Sequence, residues 1–131
     1  MRALFASMPG DQHTFGTVMI DDIFREDGWL TDRICDGTEA DLLDRTARDW
    51  FDLIGLTVTC DCHMAPLPSL IAALRKGSRN PGVCVMVGGR IFSADPDLAQ
   101  GVGADGTAPD ARCASRMAAE LIREREWGAA I

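Results

Sequence analysis

The sequence predicts an α/β domain: a flavodoxin-like, doubly wound sheet of five parallel strands in the order 2-1-3-4-5, Rossmann-like in layout. Three observations carry that prediction. Five short apolar runs alternate with segments of helical periodicity, and turn residues separate them. The fourth run, Val83-Cys84-Val85-Met86-Val87, is continuously apolar, as a central parallel strand covered on both faces requires. Finally, five such units fit one right-handed βαβ series within 131 residues and leave no room for a second core.

Each element has its own signal. The first strand is expected over about 3–8, in Ala3-Leu4-Phe5-Ala6-Ser7-Met8. The helix after it, about 14–27, would set Phe15, Val18, Met19, Ile23 and Phe24 on one face, and Gly28 ends it. A weaker second strand covers about 29–35. Thr38 caps the second helix, whose first turn is acidic at Glu39 and Asp41, and which runs to about 49. Residues 51–59 read as the clearest buried strand. A third helix, about 64–77, starts near two prolines and turns Leu67, Leu70, Ile71 and Leu74 inward. The fourth strand, 83–87, runs straight into Gly88-Gly89. A short helix over about 95–101, a minimal fifth strand at Ala104-Asp105 and a closing helix over about 109–125 complete the series. That last helix would turn Ala111, Ala114, Met117, Leu121 and Ile122 inward. With no internal repeat, low-complexity tract or linker, residues 1–131 read as one domain.

Composition narrows the function classes. The apolar fraction of 47% beside 25% charged residues is that of a globular chain. Thirteen basic against 20 acidic residues leave a formal charge of −7, which argues against direct nucleic-acid binding and against an anionic membrane surface. No apolar stretch approaches the ~18 residues of a membrane span. The N-terminus also lacks the layout of a signal peptide, so a cytoplasmic protein is expected. The five cysteines, Cys35, Cys60, Cys62, Cys84 and Cys113, form no regular framework; reduced thiols without a structural disulfide are expected, with Cys84 a small core hydrophobe.

In this topology the carboxyl ends of strands one, three and four share the rim where open α/β sheets bind ligands. The unusual residues gather there: Asp11, His13 and Gly16 after strand one, residues 57–63 after strand three, and Gly88-Gly89 after strand four. Asp11 can accept a hydrogen bond from one ring nitrogen of His13 and leave the other free to coordinate a metal. Glycine at 16, 88 and 89 lets backbone approach a ligand closely, and Thr57 and Thr59 offer hydroxyls. Each residue also has a purely structural reading: a satisfied loop histidine, a tight βα turn, or threonines suited to a buried strand. The sequence contains neither a Walker phosphate loop nor a G-x-G-x-x-G turn.

Four segments together resemble a known family. They are D-x-H-x-x-G after the first strand, Thr57-Val58-Thr59 where an S/T-x-L element falls, Gly88-Gly89, and Gly103-Ala104-Asp105-Gly106-Thr107-Ala108-Pro109-Asp110-Ala111. In order and spacing, over nearly the whole chain, they are similar to the cobalamin (vitamin B12)-binding domain of methionine synthase and the cobalamin mutases. That resemblance implies cobalamin (adenosyl-, methyl- or hydroxo-) bound base-off and histidine-on. His13 would be the lower axial ligand to cobalt and Asp11 its orienting partner. The dimethylbenzimidazole tail would enter a slot beside the sheet, with Gly16 leaving room, Thr57 hydrogen-bonding near it, and Gly88 and Gly89 lining its path. Gln12, Thr14, Thr59 and Gly106 are carried over as further cofactor-binding positions. Thr59 stands where the family usually has leucine.

The segment Gly10-Asp11-Gln12-His13-Thr14-Phe15-Gly16 more closely resembles the sensor branch of that family: light-responsive cobalamin regulators, antirepressors of photosynthesis genes, and domains that hold haem instead. No Ser-His-Asp set, paired-carboxylate site or lid-sized loop suggests independent catalysis. The expectation is therefore a non-catalytic sensory module, a photoreceptor-like domain that reports cofactor, light or redox state to a protein partner such as a transcription regulator. The alternatives are a corrinoid-carrying small subunit of a cobalamin-dependent mutase or methyltransferase, and a haem-binding sensor. Cys60-Asp61-Cys62-His63 lacks the second ligand pair of a zinc site and the spacing of covalent haem attachment. Its other reading is that His63 or a cysteine caps the upper face of a tetrapyrrole. Asp21-Asp22 and Glu124-Arg125-Glu126 read as solvated helix faces.

Overall fold

The computed structural model describes residues 1–10, 15–35 and 37–130. Their order is β1 (Arg2–Ser7), α1 (Phe15–Glu26), β2 (Leu30–Ile34), α2 (Glu39–Arg48), β3 (Leu53–Thr57), α3 (Leu67–Gly77), β4 (Cys84–Gly88), α4 (Arg90–Ala94), α5 (Leu98–Gly101) and α6 (Ala111–Ala130). A 3-10 turn at Asp61–His63 precedes α3. The strands form one parallel sheet in the order β2-β1-β3-β4. Phe5 pairs with Gly55 and Gly55 with Met86, so Ser7, Thr57 and Gly88 end level with one another.

Side chains alternate across a strand, and here the alternation separates two cores. Leu4, Ala6, Ile54, Leu56, Val85 and Val87 face α2 and α3 and pack with Leu42, Leu67, Leu70, Ile71 and Leu74. Ala3, Phe5, Leu53, Cys84 and Met86 face the other way, with Phe24, Trp29, Ala114, Ala118 and Ile122. The α3 face is the one its periodicity predicts. The Thr38 cap is also as read: its hydroxyl accepts the Asp41 N–H and the Asp41 carboxylate accepts the Thr38 N–H. Those hydrogen bonds hold the Asp41 carboxyl below its ordinary range.

The sheet has four strands among the described residues where five were expected. At the outer edge of β4 stands a single parallel bridge, Met86 to Gly106. The Asp105 N–H donates to the Val85 carbonyl at 2.7 Å and the Val87 N–H to the Gly106 carbonyl at 3.1 Å. The Val85 N–H, however, donates to the Asp105 side chain at 2.8 Å. A carboxylate thus occupies the place of a strand carbonyl and ends the ladder. Arg75 from α3 bonds the same carboxylate at 2.9 Å, and Arg125 from α6 bonds its other oxygen.

Other expectations are corrected. The inward stripe of α1 is Thr17, Ile20, Asp21 and Phe24, rotated from the predicted face, and Met19 is 50% exposed. Asp21, read as solvating a helix face, is fully buried and ion-paired with Arg25 at 3.4 Å and Arg33 at 3.3 Å. Arg125 likewise bonds the carbonyls of Gly82 and Val83. The helix expected over about 95–101 is the shorter α5, Leu98–Gly101, and α4 at Arg90–Ala94 stands where no helix was expected. Cys60 and Cys62, expected as free thiols, are bonded to each other. Cys84 is buried as expected. Among the described residues no helix is long and apolar enough to cross a membrane.

Two predictions come from this architecture. Asp105→Ala strands two guanidinium groups and the Val85 N–H, and should lower unfolding free energy by about 2 kcal/mol or more in urea titration. Burial, with the Asp105 carboxylate second, pushes the Cys84 thiol up to about 12. The folded chain therefore keeps that proton when the unfolded chain has lost it. The stability tied to this group should be fully present below about pH 9 and decline toward about pH 12. Cys84→Ala, which has nothing to ionise, should flatten that decline in pH-dependent denaturation.

Candidate functional site

Three loops leave the carboxyl ends of β1, β3 and β4 on one rim. Backbone bonds beyond the strand ends hold them in step: the Met8 N–H donates to the Thr57 carbonyl at 3.2 Å, and the Val58 N–H to the Gly88 carbonyl at 2.9 Å. Gly89 then turns the chain at φ +122°, where an added Cβ would overlap the Val58 carbonyl. Only glycine satisfies both demands there. The Ser93 N–H donates to the Gly89 carbonyl at 3.1 Å, which starts α4.

Behind the rim lies a cavity of about 360 Å3 between the sheet and helices α1 and α6. Its floor is Phe5, Gly55, Thr57, Met86 and Gly88, all on the same face by strand alternation. Gly16, Met19, Ile20 and Phe24 form one wall, and Pro109, Asp110, Ala111 and Ala114 the other. The floor is deep because its residues are small. Phe5 lies over Gly55, with its ring carbon 2.6 Å from where a Cβ would stand. A Cβ on Gly16 would meet the Thr57 methyl at 3.5 Å, and one on Gly88 would stand in open space. Polar groups are few: the Thr57 and Ser93 hydroxyls and the Asp110 carboxylate. The Cys113 N–H donates to Asp110 at 2.8 Å, capping α6 and holding that carboxyl below its ordinary range. Ser7 Oγ and Thr17 Oγ1, at the end of β1 and the first turn of α1, are buried with no hydrogen-bond partner among the described residues.

Of the residues predicted from sequence, Gly16, Thr57, Gly88 and Gly89 line this one cavity. Asp11, Gln12, His13 and Thr14 lie outside the described residues. Thr59 is exposed in the loop after β3 and is not part of the lining. Gly106 bridges β4, and a Cβ there would come within 2.9 Å of the Met117 sulfur, so it lets α6 approach the sheet. Sequence reasoning missed Phe5, Gly55, Met19 and Ala114 as lining. For Gly55 the available signal was size, a glycine between Ile54 and Leu56 on the other face of β3.

The sequence family described as B12 binding domain matches residues 1–115. The chain belongs to that family. No curated protein matches it. Solved structures that share its fold include three corrinoid-related proteins. A novel cobalamin-binding protein from Desulfitobacterium hafniense superposes with a TM-score of 0.81 at 17% identity, over 92% of this chain and 58% of that one. The monomethylamine corrinoid protein of Methanosarcina barkeri gives 0.80 at 20% identity, over 92% and 57%. A chain of the methanol:cobalamin methyltransferase complex from Methanosarcina barkeri gives 0.80 at 15% identity, over 93% and 46%. The chain thus spans about half the length of these proteins.

For a B12-binding domain the cavity has the right character. A corrinoid's nucleotide tail ends in a flat, apolar dimethylbenzimidazole, and the slot is mostly apolar with few polar groups. Gly88→Val puts two methyls into that slot from a position with no neighbour to displace. It should leave the melting temperature unchanged while weakening cobalamin binding roughly tenfold or more in equilibrium titration.

Proposed function

We propose that this B12-binding domain is a corrinoid carrier that presents its cofactor to a separate methyltransferase or mutase subunit. The observation that carries corrinoid binding is the glycine-lipped slot, lined by Gly16, which follows His13 by three residues in the sequence. In this reading His13 would hold the cobalt through one ring nitrogen, and Asp11 would accept a hydrogen bond from the other ring N–H, fixing the tautomer. Gln12 and Thr14 flank the ligand. The tail would lie along Gly16, Thr57, Gly88 and Gly89, with the Thr57 hydroxyl free to hydrogen-bond near it. Bound, the corrinoid supplies a cobalt centre that accepts and releases an alkyl group.

The carrier role is favoured by what is similar to the chain: a corrinoid protein and a methyltransferase complex share its fold. The catalytic half belongs to the partner in this reading. A second reading, the sensory module acting on a transcription regulator, is supported by the wording Gly10-Asp11-Gln12-His13-Thr14-Phe15-Gly16 and its resemblance to the sensor branch.

Titration of the apo-chain with hydroxocobalamin, methylcobalamin, adenosylcobalamin and haemin separates these. Base-off, histidine-on spectra are expected for the cobalamins and should be lost in His13→Ala with the melting temperature unchanged. Asp11→Asn should weaken binding about tenfold or more by withdrawing the partner of the ligand nitrogen. Binding of haemin alone would overturn the corrinoid reading. A light-dependent change of oligomeric state with adenosylcobalamin would move the function to the sensor.

A further inference from the structure

Cys60 and Cys62 stand at the carboxyl end of β3, on the 3-10 turn that leads into α3. They are bonded to each other across one intervening residue, with Cα atoms 5.2 Å apart, and both residues are exposed. A link that closes so small a ring removes little freedom from the unfolded chain, so it is poorly suited to be a staple for the fold. Exposed disulfides of that kind are the ones that exchange. The remaining cysteines differ: Cys84 is buried, and Cys35 and Cys113 lie elsewhere, with Cys113 beside Asp110.

The turn has contacts that make exchange directional. The Cys62 N–H donates to Cys60 Sγ at 3.3 Å. The His63 and Met64 N–H groups donate to the carbonyls of Cys60 and Asp61, which keeps the turn folded around that sulfur. On its other side the turn meets the loop after β1: His63 Nε2 is 4.0 Å from where a Cβ on Gly10 would stand. The turn thus lies close to Gly10, the residue before Asp11 in the sequence.

We propose that Cys60 and Cys62 are a thiol–disulfide exchange site whose co-substrate is an external thiol of the glutathione class. The external thiolate attacks Cys62 Sγ, the Cys60–Cys62 bond breaks, and the electron pair leaves on Cys60 Sγ. There the Cys62 N–H stabilises it before water supplies a proton. A second external thiolate attacks the external sulfur of the mixed disulfide and releases Cys62 as a thiolate, which is protonated in turn. Two external thiols are oxidised to one disulfide and the pair is reduced to two thiols; glutathione disulfide drives the reverse. The site needs no corrinoid, so it stands or falls apart from the carrier reading.

The test is a redox titration of the full chain in glutathione buffers of graded ratio near neutral pH, followed by acid quench, alkylation and peptide mapping. Cys60 and Cys62 should pass together from unlabelled to doubly labelled as the thiol is raised, and return when glutathione disulfide is added. A pair that stays blocked in excess thiol, or stays labelled in the most oxidising buffer, overturns the proposal. A dithiol oxidoreductase that reduces the pair when glutathione does not would likewise overturn the assigned co-substrate. In single variants, Cys60 of Cys62→Ser should be alkylated several-fold faster than Cys62 of Cys60→Ser; equal or reversed rates would remove Cys60 as the leaving sulfur. The Gly10 amide resonance should shift on reduction, and an unmoved resonance would end the link to that loop.

Discussion

The structure depends on an inequality between the two faces of one short parallel sheet. Strand alternation is obligatory, so residues 4, 6, 54, 56, 85 and 87 must point one way and residues 3, 5, 55, 57, 86 and 88 the other. On the first face the sequence is Leu, Ile and Val apart from Ala6, and it packs against α2 and α3. On the second face small residues, Ala3, Gly55, Thr57 and Gly88, stand among the larger Phe5, Leu53 and Met86. The Phe5 ring sits over Gly55 and meets Phe24 edge-on at 4.8 Å, and Phe24 meets Trp29 at 5.0 Å. This aromatic chain pins the C-terminal half of α1 to the sheet. The N-terminal half lies over small residues, and the slot opens there, at the carboxyl ends of the strands.

The far side of the slot is set by a charge. Asp105 ends the sheet at β4 by offering carboxylate where a fifth strand would offer carbonyls, and in doing so it draws in Arg75 and Arg125. Arg125 reaches from α6, so the edge of the sheet and the position of that helix are fixed by one group. Its side chain is 18% exposed, which makes the pairs worth more than those on an open surface. At its other end α6 is capped by Asp110, which is also part of the slot. The wall is thus held at both ends by aspartates that a composition count sees only as acidic charge.

Much of this was legible in the sequence, and the failures have physical causes. Continuous apolar runs gave β3 and β4, and Thr38 with Asp41 gave the start of α2, because those signals are local. Gly16, Thr57, Gly88 and Gly89 were readable as a group because topology brings strand ends together whatever the side chains do. The fifth strand was misread because Asp105 looks like a strand residue until its carboxylate is seen taking the Val85 N–H. The inward face of α1 was misread because apolar residues were assigned to the core. Met19 instead borders the slot, while the buried positions went to Thr17 and Asp21. Asp21 could be buried only because Arg33 on β2 and Arg25 meet it, a pairing that sequence spacing shows for Arg25 alone.

The same inequality divides the consequences of substitution. On the α2–α3 face each side chain is in contact all round, so loss of a methyl group costs packing that neighbours cannot recover. On the α1–α6 face the glycines at 16 and 88 border the slot, so an added side chain there enters open space and displaces little. Gly89 belongs to neither class, because the Val58 carbonyl and its own positive φ forbid any Cβ. Two adjacent glycines therefore answer different constraints: Gly88 keeps a slot clear, and Gly89 allows the backbone to turn. A motif of paired glycines at the end of a strand is thus a composite signal: both residues line the slot, and the second also answers to the turn.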